Sequence, residues 1–229
     1  FSKLVPKQST TSKILYSIYF GLTVVETVLL KIAGMPWYDA VIHALSSAGT
    51  GGFSNRNASV GAYGSVAIDL IVTVFILLFS VNFAVYFLLL TRKFRDILAS
   101  DELRFFLTVV AGSTLLIAWN IRGLYSSFAQ ALRYAVFQVA SIISTTGFAT
   151  ADFTLWPQLS HLILILIMFC GACAGSTGGG MKCSRILILG RSLRREIHRI
   201  VHPRSVEVVT LDGKVVEEET IHSALTFVG

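Results

Sequence analysis

The sequence predicts an all-α membrane protein in which a unit of long helix, half-length helix and long helix occurs twice. Three observations support this fold class: an apolar composition, apolar runs long enough to cross a bilayer, and an internal repeat. Of the 229 residues, 54% are hydrophobic and only 14% are charged, with a mean hydropathy of +0.70. A soluble domain carries about 25% charged residues. A water-soluble enzyme and a disordered chain are therefore excluded.

The first unit starts with an apolar run at residues 14–34, which is long enough to cross about 30 Å of hydrocarbon. Pro36 then opens a half-length helix at 37–47, because proline fits the first turn of a helix. A turn of small residues follows. The run at 70–90 contains no charge and is predicted to be one continuous spanning helix. Glu26 lies inside the first run, and we assign it a supporting role rather than direct ion binding.

The second unit follows a charged linker at 91–104. Its apolar runs lie at 105–119, 128–143 and 159–174, and a helical pattern resumes at 181–190 after a run of glycines. Beyond this point the chain becomes basic and then acidic. Residues 206–216 are predicted to form a β-hairpin, because Asp212 and Gly213 form a typical two-residue turn.

The two units are related by an offset of 95 residues. The offset maps Thr50 onto Thr145, Gly52 onto Gly147 and Phe53 onto Phe148 without change, and it also preserves two residues of the half-length helices, Ala40 with Ala135 and Ser46 with Ser141. Interrupted apolar segments in corresponding places of two repeats point to a transport site.

Basic residues orient the chain. Fourteen lysines and arginines lie in the three stretches 1–13, 91–104 and 182–204, against three in the two regions that contain the half-length helices. The positive-inside rule places the first group in the cytoplasm and both turns at the outer face. Because the basic residues flank apolar segments, we expect membrane lipid as a partner and no nucleic acid.

The turns contain threonine and glycine but no acidic residue. They would therefore present backbone carbonyls, which can replace the water shell of a monovalent cation. Gly52 and Gly147 would supply positive φ angles, and Phe53 and Phe148 would wedge the turns against the surrounding helices. Ordinary helix-connecting turns remain the alternative for either turn taken singly.

The glycines at 174–180 would unwind a helix at roughly 0.8–1 kcal/mol each. A phosphate-binding loop is excluded, because Met181 separates Gly180 from Lys182 and no strand precedes it. Close helix packing is the remaining alternative. The three cysteines are interpreted as inert thiols rather than a metal site. His43 is expected to hydrogen-bond to nearby backbone rather than to act as a ligand.

The two turns, together with residues 175–182, strongly resemble the Trk/Ktr/HKT family of potassium transporters, and in particular a bacterial Trk-type potassium uptake membrane subunit. The resemblance covers essentially the whole chain. It implies helix–pore loop–helix units around a pseudo-fourfold ion pore, of which this chain would hold the second and third within a longer protein. The divisions expected are a cytoplasmic lead-in at 1–12, a pore repeat at 13–91, a cytoplasmic linker at 92–103, a pore repeat at 104–190, a cytoplasmic basic segment with the hairpin at 191–219, and the start of a further membrane helix at 220–229.

The resemblance also implies the roles of individual residues. The selectivity filter for K⁺, the transported ion, would use Thr50, Gly51, Gly52, Thr145, Thr146 and Gly147. An intramembrane gating loop would comprise Gly175, Ser176, Thr177, Gly178, Gly179, Gly180 and Lys182. No organic cofactor and no enzymatic activity are expected.

The whole protein would be a multi-pass protein of the inner membrane. It would form a homodimer and would bind a cytoplasmic nucleotide-binding regulatory subunit, for which the hairpin is a candidate contact. Two other functions stay open: a Na⁺-permeable or Na⁺/K⁺ co-transporting member of the family, and a non-conducting structural subunit. Gly52 and Gly147 favour K⁺, because a serine at such a position is associated with Na⁺ preference in parts of the family. Coupling to protons or Na⁺ by symport also stays open.

Overall fold

A computed structural model describes residues 8–202 and 208–228. The lead-in residues 1–7, the first hairpin residues 206–207 and residue 229 lie outside this part, so the expectations for them are not addressed. The division into domains likewise stays a prediction. The elements in chain order are α1 (Gln8–Ile32), α2 (Trp37–Ala48), α3 (Val66–Ser80), α4 (Phe83–Leu90), α5 (Phe94–Ala99), α6 (Asp101–Ile121), α7 (Phe128–Ile143), α8 (Gln158–Cys170), α9 (Cys183–Val201), β1 (Thr210–Leu211), β2 (Lys214–Val215) and α10 (Glu218–Val228).

The half-length helix α2 forms as the sequence predicts. Pro36 occupies its N-cap with φ of −57°, and the helix ends at Gly49 after 12 residues. Its small residues Ala40, Ala44 and Ala48 are fully buried, so α2 packs closely against α1 and α3. This packing fixes the direction in which the turn after α2 leaves the helix.

The predicted continuous helix at 70–90 is wrong. The chain forms α3 and α4 instead, and their axes differ by 93° across the break at residues 81–82. Asn82 stabilises the new helix start, because its side-chain oxygen accepts a hydrogen bond from the amide of Ala84 at 2.9 Å. Uniform hydropathy concealed the break, since the residues that satisfy the freed backbone groups are distant in the sequence.

The second unit is built from α6, α7 and α8, which pack against one another around a shared apolar core. Serines mark the helix starts: the Ser100 side chain accepts from the Leu103 amide, and the Ser127 side chain accepts from the Gln130 amide. The half-length helix α7 also contacts α3, which brings the two units together.

The apolar run expected to reach residue 174 leaves the helical conformation after Cys170, where Gly171 has φ of +70°. Helix α9 then runs as far as Val201 and so extends beyond the predicted boundary at 190. The hairpin forms with Thr210 opposite Val215 and Leu211 opposite Lys214. Helix α10 packs on α9 in an apolar cluster of Ile188, Ile221 and Ala224, which Val209 before β1 completes.

Two helices of the described part are long and apolar enough to cross a membrane, Lys13–Ile32 and the span Asp101–Leu124. A third span results if α3 and α4 are counted together. Helices α7 and α8 are apolar but shorter.

Candidate ion-binding turns and the glycine-rich loop

Each half-length helix ends in a turn with the same backbone conformation. Thr50 and Thr145 both lie in the left-handed region, with φ of +48° and +61°. Gly52 and Gly147 have φ of +68° and +90°, so the positive φ predicted for these glycines is confirmed. Left-handed backbone costs about 1–2 kcal/mol at a residue other than glycine. The same strain at two equivalent threonines points to a functional constraint.

The hydrogen bonds that close the turns follow the same 95-residue offset. The amide of Gly51 donates to Ser46 O at 2.8 Å, and the amide of Thr146 donates to Ser141 O at 3.0 Å. The repeat therefore extends from the sequence to the backbone geometry.

The serines of the two units differ in their side-chain partners. Ser141 Oγ donates to Phe148 O at 2.6 Å and is fully buried. Its equivalent Ser46 has no hydrogen-bond partner for its buried hydroxyl within the described ranges. The second turn gains a further contact between the Ser144 and Thr146 hydroxyls at 2.7 Å, so it is the more heavily cross-linked of the two.

The two turns lie in direct backbone contact. A Cβ atom added to Gly52 would lie 2.0 Å from the carbonyl oxygen of Thr146, a separation that real atoms do not adopt. A second contact joins the outer ends of the units, where the Gly61 amide donates to Ala149 O at 3.1 Å. The candidate filter residues of both units are thus brought together.

The two phenylalanines of the repeat do not behave alike. Phe148 is fully buried and stacks on His43 with ring centroids 5.6 Å apart, as a wedge residue should. Phe53 is 77% exposed within the described ranges, so it does not pack there as Phe148 does, and its wedge role stays a prediction. The reason is positional: Phe148 lies between the two units, whereas no described element covers Phe53.

Behind the first turn, Asp39 is the centre of a hydrogen-bond cluster. Its carboxylate accepts from the Tyr63 hydroxyl at 2.6 Å, the Asn55 amide at 2.5 Å and the Arg56 guanidinium at 2.9 Å. These bonds, led by the one from Tyr63, lower the pKa of Asp39 to about 2. His43 Nδ1 lies 2.7 Å from Asp39 O, which confirms the backbone contact predicted for this histidine.

The glycine-rich loop, residues 171–182, lies against both turns. The single proton of the Thr50 hydroxyl is shared between Gly49 O at 2.8 Å and Thr177 O of the loop at 3.2 Å. The Gly179 amide donates to the Thr145 hydroxyl at 2.7 Å. The two left-handed threonines therefore use their side chains to hold the loop, and the candidate gate residues are next to the candidate filter residues.

Lys182 forms a hydrogen bond within the loop. Its backbone is left-handed with φ of +72°, and its ammonium group donates to Gly178 O. Gly178 has no room for a side chain, because an added Cβ would lie 2.4 Å from the Ala172 Cβ and 3.0 Å from Ser144 O. Close packing is thus one reason for the glycines, alongside any role in gating.

The break between α3 and α4 holds the loop from a second direction. Phe79 O accepts from both the amide and the hydroxyl of Thr177, at 3.3 and 3.2 Å. The Phe83 amide donates to Gly175 O at 3.1 Å. The broken helix and the unwound loop satisfy each other's backbone groups, as irregular backbone away from water requires.

Glu102 is a contact residue that the sequence reasoning missed. It lies in the first turn of α6, is 6% exposed, and accepts through Oε1 from the amides of Ala174 at 2.6 Å and Ser184 at 3.1 Å. The position of this carboxylate, in the first turn of an apolar helix, could have indicated a buried contact, because a charge buried there requires a partner.

The three cysteines are free and buried around the loop, with the Sγ atoms of Cys170 and Cys183 3.6 Å apart. No group of three or more metal-ligating side chains occurs in the ranges that the structure describes. The turns at 50–52 and 145–147 consist of threonine and glycine, so the oxygens that they offer are neutral carbonyl and hydroxyl oxygens. Carbonyl oxygens of this kind can replace the hydration shell of a monovalent cation such as K⁺.

Comparison with known proteins identifies related transporters. The family model described as TrkH, cation transport protein, matches residues 2–228. The Trk system potassium uptake protein TrkH of Halomonas elongata is 39% identical over 98% of this chain and 47% of its own length. TrkH of Salmonella typhimurium is 37% identical over 99% of this chain and 47% of its own length. The chain thus spans about half the length of the curated relatives it matches.

The crystal structure of the potassium transporter TrkH from Vibrio parahaemolyticus is similar to this chain with a TM-score of 0.90 and 34% sequence identity, covering 100% of this chain and 50% of that one. These matches confirm the predicted all-α membrane fold. The chain belongs to the TrkH family of cation transport proteins.

Proposed function

We propose that the full-length protein transports K⁺ across the inner membrane, and that this chain supplies two of the turns that form its selectivity filter. The relatives are named potassium uptake proteins, and neutral oxygens at the turns suit such an ion. The remaining turns would come from the part of the protein outside this chain. The filter residues proposed are Thr50, Gly51, Gly52, Thr145, Thr146 and Gly147.

The observation that carries this proposal is the contact between two identically strained turns. A single turn with a left-handed threonine followed by a positive-φ glycine is compatible with an ordinary helix connection. Two such turns, each at the end of a half-length helix and in backbone contact through Gly52 and Thr146, support a shared site.

Uptake of Rb⁺ by the full-length protein tests the filter. Gly147 has no atom within 4 Å of a would-be Cβ, so Gly147→Ser places a hydroxymethyl group in open space beside the turn. We expect uptake to fall about tenfold or more, which corresponds to a barrier raised by ~1.4 kcal/mol. Gly112→Ser on α6, where nothing lies within 4 Å either, is the matched control and should leave uptake unchanged.

Equal uptake in the Gly147→Ser variant and the wild type would reject the filter assignment. Wild-type uptake of Na⁺ at least as fast as that of Rb⁺ would favour the Na⁺-permeable alternative. Absence of cation uptake in the wild type would favour the non-conducting structural subunit.

We also propose that residues 175–180 and Lys182 form a gate below the filter. The proposal is supported by the hydrogen bonds that join the loop to Thr50 and Thr145, because a segment in that position obstructs the path of an ion leaving the turns. Shortening residues 174–180 in the full-length protein should raise Rb⁺ flux. Unchanged flux would remove the gate from the proposal.

The homodimer and the cytoplasmic nucleotide-binding regulatory subunit remain predictions for the whole protein. Mass measurement of the detergent-solubilised full-length protein tests the first. Co-purification of a nucleotide-binding subunit, lost when the hairpin at 210–215 is replaced by a glycine-serine linker, tests the second.

A further inference from the structure

One carboxylate oxygen brackets the glycine-rich loop. Glu102 Oε1 accepts from the amide of Ala174, before the glycines, and from the amide of Ser184, in the first turn of α9. The two donors are ten residues apart in sequence, yet both bonds end on one atom. Charge-assisted hydrogen bonds of this kind are among the stronger ones, and the site is almost fully buried.

The residue before Glu102 is fixed by the cytoplasmic hairpin. The Asp101 amide donates to Asp212 Oδ1 at 2.7 Å, and the Asp212 amide donates back to Asp101 Oδ2 at 3.1 Å. Arg191 of α9 joins the same carboxylate at 2.9 Å. This reciprocal clasp links the hairpin turn to the first residue of α6, directly beside the residue that holds the loop.

We propose that Glu102 is a positioning residue that holds the glycine-rich loop closed, and that the hairpin turn governs it through the Asp101–Asp212 clasp. This proposal rests on the gating role proposed above and adds how the gate would be regulated. A cytoplasmic partner that displaces the hairpin would loosen the start of α6. Glu102 would then lose its alignment with the two amides, and the loop would be released from α6.

Hydrogen–deuterium exchange of the full-length protein in detergent tests the positioning role without reference to transport. Glu102→Ala should speed exchange of the Ala174 and Ser184 amides roughly tenfold or more, the change expected when a hydrogen bond to a charged acceptor is lost. Glu102→Gln retains an acceptor oxygen and should restore most of the protection. Glu102→Met fills a similar volume without an acceptor oxygen and should not restore the protection, whereas it would do so if Glu102 merely filled space.

Asp212→Gly tests the clasp from the exposed hairpin, where folding is less at risk. Asp212 has φ of +51°, so glycine suits the backbone while removing the acceptor for the Asp101 amide. Exchange at Ala174 and Ser184 should rise, by less than in Glu102→Ala. Glu196→Ala, which removes an exposed carboxylate that pairs with Arg195 and Arg199 of the same helix, should leave exchange at these amides unchanged.

Rb⁺ uptake by the same variants separates this proposal from the proposed function. Faster exchange together with faster uptake supports both. Faster exchange with unchanged uptake keeps Glu102 as the residue that holds the loop and rejects the loop as a gate. Unchanged exchange in Glu102→Ala overturns the positioning role, and unchanged exchange in Asp212→Gly overturns the control by the hairpin.

Discussion

Replacing Gly52 by alanine should destabilise the protein more than the same replacement at Gly147, although the two glycines are equivalent in the repeat. Both have positive φ, so both substitutions strain the backbone. They differ in surroundings. A Cβ at Gly52 would lie 2.0 Å from Thr146 O and 3.1 Å from the carbonyl carbon of Gly147, whereas a Cβ at Gly147 would meet nothing within 4 Å.

The magnitudes follow from these two observations. Left-handed backbone costs alanine about 1–2 kcal/mol at either site. Overpacking adds about 1–3 kcal/mol at Gly52 alone, because the atom it meets is backbone and cannot rotate away. We therefore expect a loss of about 2–5 kcal/mol for Gly52→Ala and of about 1–2 kcal/mol for Gly147→Ala.

Thermal unfolding of the full-length protein in detergent, followed by tryptophan fluorescence, measures the difference. Gly112→Ala is the control: it lies in α6 with no atom within 4 Å, and alanine favours a helix over glycine, so the Tm should stay the same or rise. Equal losses of Tm for Gly52→Ala and Gly147→Ala would refute the contact between the turns, and with it the shared site.

Three further predictions use the same unfolding measurement. Ser141→Ala should cost about 1–3 kcal/mol because it leaves the buried Phe148 carbonyl without its donor, while the equivalent Ser46→Ala should cost little; the reverse order would contradict the assigned hydrogen bonds. Asp39→Asn should lower the Tm at neutral pH. The hydrogen bonds lower the folded-state pKa of Asp39 to about 2, so the carboxylate stabilises the fold fully above an unfolded-state pKa of about 4 and loses this effect as the pH falls towards 2. The difference in Tm between the variant and the wild type should therefore shrink between about pH 4 and about pH 2. A difference in Tm that does not depend on pH would contradict this. Glu26→Met should leave the Tm unchanged or raise it, because the carboxylate is fully buried and its interaction with the Ser47 side chain in the described ranges falls short of a hydrogen bond; a marked fall would show that the carboxylate is stabilising.

The sequence predicted the parts of the fold that depend on local signals. Apolar runs indicated most of the helices, Pro36 marked the start of α2, and the Asp212–Gly213 pair marked the hairpin. The offset of 95 residues located both turns, and glycine at 52 and 147 indicated positive φ, because that conformation is inexpensive only for glycine.

Features that depend on distant contacts could not be predicted. The break after Ser80 contains no proline or glycine, and the amides and carbonyls that compensate for it belong to the loop about 95 residues later. Thr50 and Thr145 adopt positive φ although threonine locally prefers negative φ, and the contacts of the packed turns stabilise this conformation. Glu102 lay in the predicted charged linker, and its amide partners Ala174 and Ser184 could not be predicted because they are more than 70 residues away in the sequence.

The bend between α3 and α4 has a consequence for the energy of moving the loop. In an unbroken helix the Phe83 amide would donate to Phe79 O, four residues back. In the bent form Phe79 O is taken by Thr177, and the Phe83 amide is taken by Gly175. A straightened helix would pair these two groups with each other as the loop left. The two helix groups would keep a partner, so the cost of moving the loop would fall on the amide and hydroxyl of Thr177 and on the carbonyl of Gly175, which would need new partners.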